Sequence, residues 1–233
     1  MKLPTKIFIT GGHGNLGKKL ISSIPPNYKI MAPTHKECNI LDLKKLKQVI
    51  KKYNPDIIIH LAAFVDTFGC ENNIESALDI NVNGTINIVK SCLDVSCKLV
   101  YISSEYVFGG SKGNYTINDK PDPINVYGKT KAAAEYIVST LPDYQIIRAP
   151  FISKTYLNVF EDQYCSRYFL NEASKRIINN IFNNSKKLIH ISSKRMSLYN
   201  TYLKEGIKAN PIKMDKDYLK LIPKDTSLKN NSI

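Results

Sequence analysis

Tyr127 and Lys131 stand four residues apart in "NVYGKTKAAAE", so on a helix they share one face. A free phenol has a pKa of about 10, too high for efficient proton transfer at neutral pH, and a nearby ammonium or an oxidised nicotinamide ring would favour the phenolate. Ser104, closing the strand-like "KLVYISS", offers a hydroxyl that can hold a carbonyl oxygen. Together the three fit carbonyl reduction, with a proton from Tyr127 and a hydride from a nicotinamide. Taken alone, the Tyr–Lys spacing also describes two ordinary residues on one helix face, so the surrounding elements must decide.

Those elements alternate. "KIFIT" (6–10), "YKIMA" (28–32), "PDIIIHLA" (55–62), "KLVYISS" (98–104) and "YQIIRA" (144–149) read as strands buried on both faces, separated by helix-like segments at 15–24, 42–53, 71–94 and 126–140. Asp42 can cap the second helix. The pattern predicts an α/β fold, a doubly wound parallel (Rossmann) sheet over residues 1–150, with a small C-terminal substrate-binding lobe over 151–233. In that lobe "DQYCSRYFLNEASKRIINNIFNN" reads as helix, a strand near 187–192 returns to the sheet, and a polar, proline-punctuated tail reads as partly mobile.

"ITGGHGNLGKKL" sets Gly11, Gly14 and Gly17 between the first strand and the first helix, where tight backbone and free amides would receive a pyrophosphate. A ribose-binding acid is expected at the tip of the second strand, but the chain there reads "MAPTHKE". Thr34, His35 and Lys36 could instead hold a 2′-phosphate, which favours NADP(H) while NAD(H) stays open. Catalytic groups at the C-terminal ends of strands are what such a sheet would position.

Composition narrows the partners. A formal charge of +13 is spread through helices and the C-terminal third, without a nucleic-acid recognition pattern, so an anionic small ligand is the better fit. No apolar stretch approaches the roughly 20 residues of a membrane span, and the N-terminus lacks a signal-like apolar region, so the expected compartment is cytoplasmic. The five cysteines are an odd number without metal spacing and read as reduced, mostly buried thiols; no metal is expected. His60, on an apolar strand, reads as a core histidine.

The segments "TGGHGNLG", "HLAAFVD", "ISSEYVFGG" and "NVYGKTKAAAE" resemble the extended short-chain dehydrogenase/reductases, in particular the nucleotide-sugar 4-reductases that include the dTDP-4-dehydrorhamnose reductases. That resemblance implies an NADPH-dependent reduction of a 4-keto-6-deoxy nucleotide sugar. Tyr127 would be the general acid, Lys131 would orient the nicotinamide ribose and lower the tyrosine pKa, and Ser104 would replace the group's usual threonine. It implies cofactor contacts at Gly14, Asn15 and Leu16, at Asn39 and Ile40 near the adenine, and at Ala62, Ala63 and Phe64. For the sugar it implies Glu105, Phe151 and, from "EDQYCSRY", Gln163. In that last stretch Cys165, Ser166 and Arg167 replace the group's glycine and proline chemistry, and Asn39 stands where an aspartate is usual.

A sugar diphosphate would find Arg167, Arg176, Lys194 and Arg195 in the basic lobe. A homodimer is an open expectation. Three alternatives remain: a bifunctional 3,5-epimerase/4-reductase, disfavoured because "SSEYVF" carries no cysteine; another nucleotide-sugar short-chain reductase or epimerase; and a non-catalytic dinucleotide-binding regulatory subunit, suggested by the short C-terminal lobe.

Overall fold

The first five strands of the chain are β1 (Lys6–Thr10), β2 (Lys29–Met31), β3 (Ile57–His60), β4 (Lys98–Ser103) and β5 (Tyr144–Arg148). With Leu188–His190 they pair in parallel as a six-stranded sheet in the order Leu188–His190, β5, β4, β3, β1, β2. The computed structural model describes residues 5–233; Met1–Pro4, which begin the N-terminal stretch read above, lie outside the described residues.

Alternation along each strand sends side chains to two separate cores. Phe8, Ile58, Leu99, Tyr101 and Ile146 pack with Leu46, Ile50, Ile88 and Val138. Those partners come from α2 (Leu43–Tyr53), α5 (Gly84–Val95) and α6 (Val126–Val138). Ile7, Ile9, Ile59, Val100, Ile102 and Ile147 pack on the other face with Leu16, Leu20, Ile177 and Ile181. These belong to α1 (Asn15–Ser23) and α7 (Leu170–Asn183). The continuous apolar strands are thus explained by helices on both faces. The Asp42 carboxylate accepts the Lys45 N–H at 3.0 Å and caps α2.

Three segments depart from the expected elements. The single helix expected over 71–94 is split into α3 (Thr67–Asn72), α4 (Ile74–Leu78), a five-residue π-helical turn at Asp79–Asn83, and α5. In the wide turn the buried Asn81 side chain accepts the Phe64 N–H at 2.7 Å and donates to the Phe64 carbonyl and to Thr130 Oγ1. Of "DQYCSRYFLNEASKRIINNIFNN" only the part from Leu170 is helical. Before it, Tyr164–Cys165 pairs with Met196–Ser197 and Tyr168–Phe169 with Phe151–Ile152, because the aromatic alternation there suits short strands.

The last part of the tail, expected to be partly mobile, is instead packed, while residues 210–220 are mostly exposed. Leu228, Thr226 and Ser227 are buried, Tyr115 and residues 227–229 exchange backbone hydrogen bonds of 2.8 and 2.7 Å, and Asn231 Oδ1 accepts the His190 N–H at 2.6 Å. Side-chain amides and hydroxyls, invisible to a hydropathy pattern, hold it beside the last strand.

Candidate active site

Parallel pairing aligns Thr10, His60 and Tyr101 across β1, β3 and β4, and sets Ser103 opposite Arg148 on β5. Two cavities open over this C-terminal edge, on either side of the glycine turn.

The first, about 450 Å³, is walled by Gly11, His13, Gly14, His35, Asn39, Ile40, Ala62 and Ala63. Gly11 is left-handed, with φ of +68°, and a β-carbon there would come within 2.7 Å of the Ala62 amide nitrogen, so strand β3 and the turn touch backbone to backbone. Gly14 precedes α1 without a side-chain cap, so the first-turn amides are open to an anion. Glycine cradle, bare helix start and apolar wall fit a dinucleotide such as NADP.

Other residues expected at the cofactor lie off this wall. Gly17 packs the helix onto the turn, since a β-carbon there would meet the Gly11 carbonyl at 2.5 Å. The Leu16 side chain belongs to the sheet core. Thr34 donates its N–H and hydroxyl to the Glu37 carboxylate, both at 2.8 Å, so an acid does occupy the loop but is held by its own turn. Lys36 is exposed, and the Phe64 backbone is tied to Asn81. Neither lines the cavity, whereas His35 does and is joined there by His13.

The second cavity, about 770 Å³, is lined by Asn15, Ser104, Glu105, Tyr106, Tyr127, Phe151, Lys154 and Arg167 among others. Ser104 follows β4 and caps a short 3₁₀ turn at Glu105–Val107. Its hydroxyl donates to Glu105 Oε2 at 3.0 Å and accepts the Tyr106 N–H at 3.2 Å. Tyr127 enters from the first turn of α6. That turn is fixed by Asn125, which accepts the Gly128 N–H at 2.7 Å, and by Glu71, which accepts the Val126 N–H at 2.6 Å. The Tyr106 and Tyr127 rings meet edge to face with centroids 6.1 Å apart. Glu105 Oε1 takes both Nε and Nη2 of Arg167, at 2.9 and 2.8 Å.

Lys131 is buried behind this wall. Its Nζ donates to the Ile102 carbonyl at 2.7 Å and lies 4.1 Å from the centroid of the Tyr101 ring. Burial lowers its pKa from 10.5 to about 7, with Glu135 pulling the other way. The Tyr127 phenol is not pulled down as its spacing to Lys131 suggests. Burial raises it, the Glu105 charge raises it further, and only the Ser104 hydroxyl opposes. The reason is geometric: the ammonium turns to a backbone carbonyl and a different ring.

Gln163 is absent from the cavity wall; it is buried, with Nε2 donating to the Pro223 carbonyl at 3.4 Å. The basic lobe also differs from expectation. Arg167, Arg176 and Arg195 are each paired with a carboxylate, Glu105, Glu172 and Asp225, and Lys194 does not line the cavity. Lys154, which the sequence did not single out, lines it and forms no ion pair among the described residues. Its position follows from a rim loop, which no spacing rule marks.

A parallel sheet with a glycine turn at its reversal point, and a serine, a tyrosine and a buried lysine at the same edge, define a dinucleotide-dependent short-chain dehydrogenase/reductase of the extended type. Residues 5–167 match the RmlD substrate binding domain family, and the chain belongs to that family. It is 29% identical over 210 residues to the spore coat polysaccharide biosynthesis protein SpsK of Bacillus subtilis, covering 81% of this chain and 74% of that protein. A methionine adenosyltransferase 2 subunit beta from Bos taurus is 32% identical over 141 residues, 57% of this chain and 42% of that relative, so this match spans less than half of it. A crystal structure of dTDP-4-dehydrorhamnose reductase from Bacillus anthracis in complex with NADP superposes with a TM-score of 0.86 at 27% identity, covering 97% of this chain and 91% of that one. No helix among the described residues is long and apolar enough to cross a membrane.

Proposed function

We propose that the protein is an NADPH-dependent reductase of a 4-keto-6-deoxy nucleotide sugar, acting as the dTDP-4-dehydrorhamnose reductases do. One observation carries this reading: Ser104, Glu105 and Tyr127 line a single cavity beside the glycine turn, large enough for a sugar. Bound NADPH supplies the hydride that reduces the ketone. Gly11, Gly14 and the first-turn amides of α1 hold its pyrophosphate, and Asn39, Ile40, Ala62 and Ala63 receive the adenosine end. His35 and His13 take the place first given to Thr34 and Lys36 beside the ribose.

Tyr127 delivers the proton. Its phenol is protonated at neutral pH, the form needed to donate to the carbonyl oxygen as it gains charge, while burial and Glu105 make it a weaker acid than its spacing to Lys131 implies. Ser104 holds that oxygen in line. Lys131 braces the strand end behind the site through the Ile102 carbonyl and adds positive charge in its protonated fraction. Phe151 walls the sugar, and Lys154, at the exposed rim, faces the substrate diphosphate.

The test is NADPH oxidation with dTDP-4-keto-6-deoxy sugars. Tyr127→Phe should lower turnover by about 10²- to 10⁴-fold with NADPH binding unchanged. Equal turnover by both proteins would end the reading. The likeness to a methionine adenosyltransferase 2 subunit beta supports one rival, a dinucleotide-binding subunit without catalysis. NADPH binding with no turnover, and a stable protein partner, would favour it.

A further inference from the structure

Arg167 lies inside the proposed sugar pocket. Its side chain is only 15% exposed and its partner Glu105 only 7%. Both guanidinium donors converge on Glu105 Oε1, and Nη2 also reaches the Tyr106 hydroxyl at 3.4 Å. The Arg167 backbone is itself pinned, its carbonyl accepting the Ser193 hydroxyl at 3.0 Å. The carboxylate is therefore presented in one orientation, with Oε2 facing Ser104.

A serine hydroxyl has one proton. Here that proton is directed at Glu105 Oε2, and the oxygen's acceptor side already takes the Tyr106 N–H. Ser104 turns to a ketone at the cost of that bond unless another donor takes its place on Oε2. A sugar hydroxyl on the carbon next to the ketone is such a donor, and it comes with the substrate. Resting on the reading of function above, we infer that Arg167 is a positioning residue that fixes Glu105 so that only a hydroxylated sugar releases Ser104 to the carbonyl. The exchange moves hydrogen bonds without transferring a proton. Selectivity arises because a sugar lacking the hydroxyl leaves Ser104 committed.

The experiment is a double-mutant cycle on the full chain with Arg167→Met, Glu105→Gln and both together. Substrates are a dTDP-4-keto-6-deoxyhexose and its 3-deoxy analogue. The unmodified protein should prefer the hydroxylated sugar by at least about 10²-fold in kcat/KM, toward the roughly 10⁴-fold of a site built to bond a substrate hydroxyl. Each single variant should lose most of that preference, and the double variant should lose no more than the worse single one, because Arg167 acts through Glu105. NADPH affinity should stay within about twofold throughout, since neither residue lines the first cavity. Arg167→Lys should recover only part, as one ammonium cannot reproduce the fork.

Should Arg167→Met fail to fold, the double variant leaves no lone buried charge and carries the test by its lost preference. Retained preference in either protein, or losses that simply add, would overturn the inference. Absence of turnover by the unmodified protein on any keto-sugar nucleotide would remove the reading of function and this inference with it, which is a different outcome from turnover with additive losses.

Discussion

Replacing Lys131 by Met should stabilise the fold while damaging the site. Lys131 is 3% exposed and forms no ion pair among the described residues, because Glu135, one helical turn away, is bound by Arg148 at 2.6 Å. A pKa lowered from 10.5 to about 7 corresponds to roughly 5 kcal/mol against the charged form in the folded state. Methionine escapes that cost but forfeits the bond to the Ile102 carbonyl, about 1–3 kcal/mol, and the contact with the Tyr101 ring, about 1 kcal/mol. The variant should therefore be about 2 kcal/mol more stable at neutral pH. The sign of the pH dependence follows from proton counting. Between pH 7 and 10.5 the unfolded chain binds a proton that folded Lys131 has released, so the unmodified protein gains stability as pH rises through that window. The advantage of the variant is full below it and shrinks toward its upper end. Urea unfolding followed by circular dichroism, at about pH 6.5 and about pH 9.5, measures both values. A variant less stable than the parent at neutral pH, or a gap unchanged by pH, would refute the assignment of Lys131 as a buried, destabilising charge.

Gly11→Ala should weaken NADPH binding at least tenfold and lower the melting temperature, since φ of +68° costs an L-residue about 1–2 kcal/mol and the added carbon meets the Ala62 backbone; calorimetric titration reads the affinity. Arg148→Met, leaving Glu135 buried and alone, should cost about 3–5 kcal/mol, and adding Glu135→Gln should recover part of it, both read by chemical denaturation. His60 is held neutral by burial, its pKa lowered from 6.5 to about 3, so stability falls as pH drops through that interval. His60→Asn should flatten the acid limb of thermal melts. The flattening is partial, because His190, lowered to about 4, acts in the same direction.

The sheet was legible because buried parallel strands leave a strong mark: Ile57, Ile58 and Ile59 can be satisfied only by two apolar faces, and the glycines mark the crossover after β1. His60 was legible for the same reason and is a core histidine, its two nitrogens bonded to Thr10 and Thr85. The C-terminal third was harder. Its short pairs, such as Tyr164–Cys165 with Met196–Ser197, depend on partners about 30 residues distant, and the tail is fixed by asparagine and serine side chains that read as loop formers.

Within the site, residue types were readable and directions were not. Helical spacing puts Tyr127 and Lys131 on one face, but the face decides only which wall they approach. Lys131 has a long stem, and once a bare carbonyl at Ile102 and the Tyr101 ring lie within reach, it satisfies its charge there in preference to the phenol. Charge counting failed for the same cause. Four cations in the basic lobe looked available for a diphosphate, yet Arg167, Arg176 and Arg195 each meet a carboxylate, which leaves Lys154 as the cation on the cavity wall without an ion pair among the described residues. A sequence shows how many charges a lobe carries, whereas their pairing is set by contacts across 62 residues, as between Glu105 and Arg167. The chemistry assigned to this site therefore depends less on the Tyr–Lys spacing than on Glu105. Its negative charge acts on the Tyr127 phenol, and its carboxylate receives both Ser104 and Arg167.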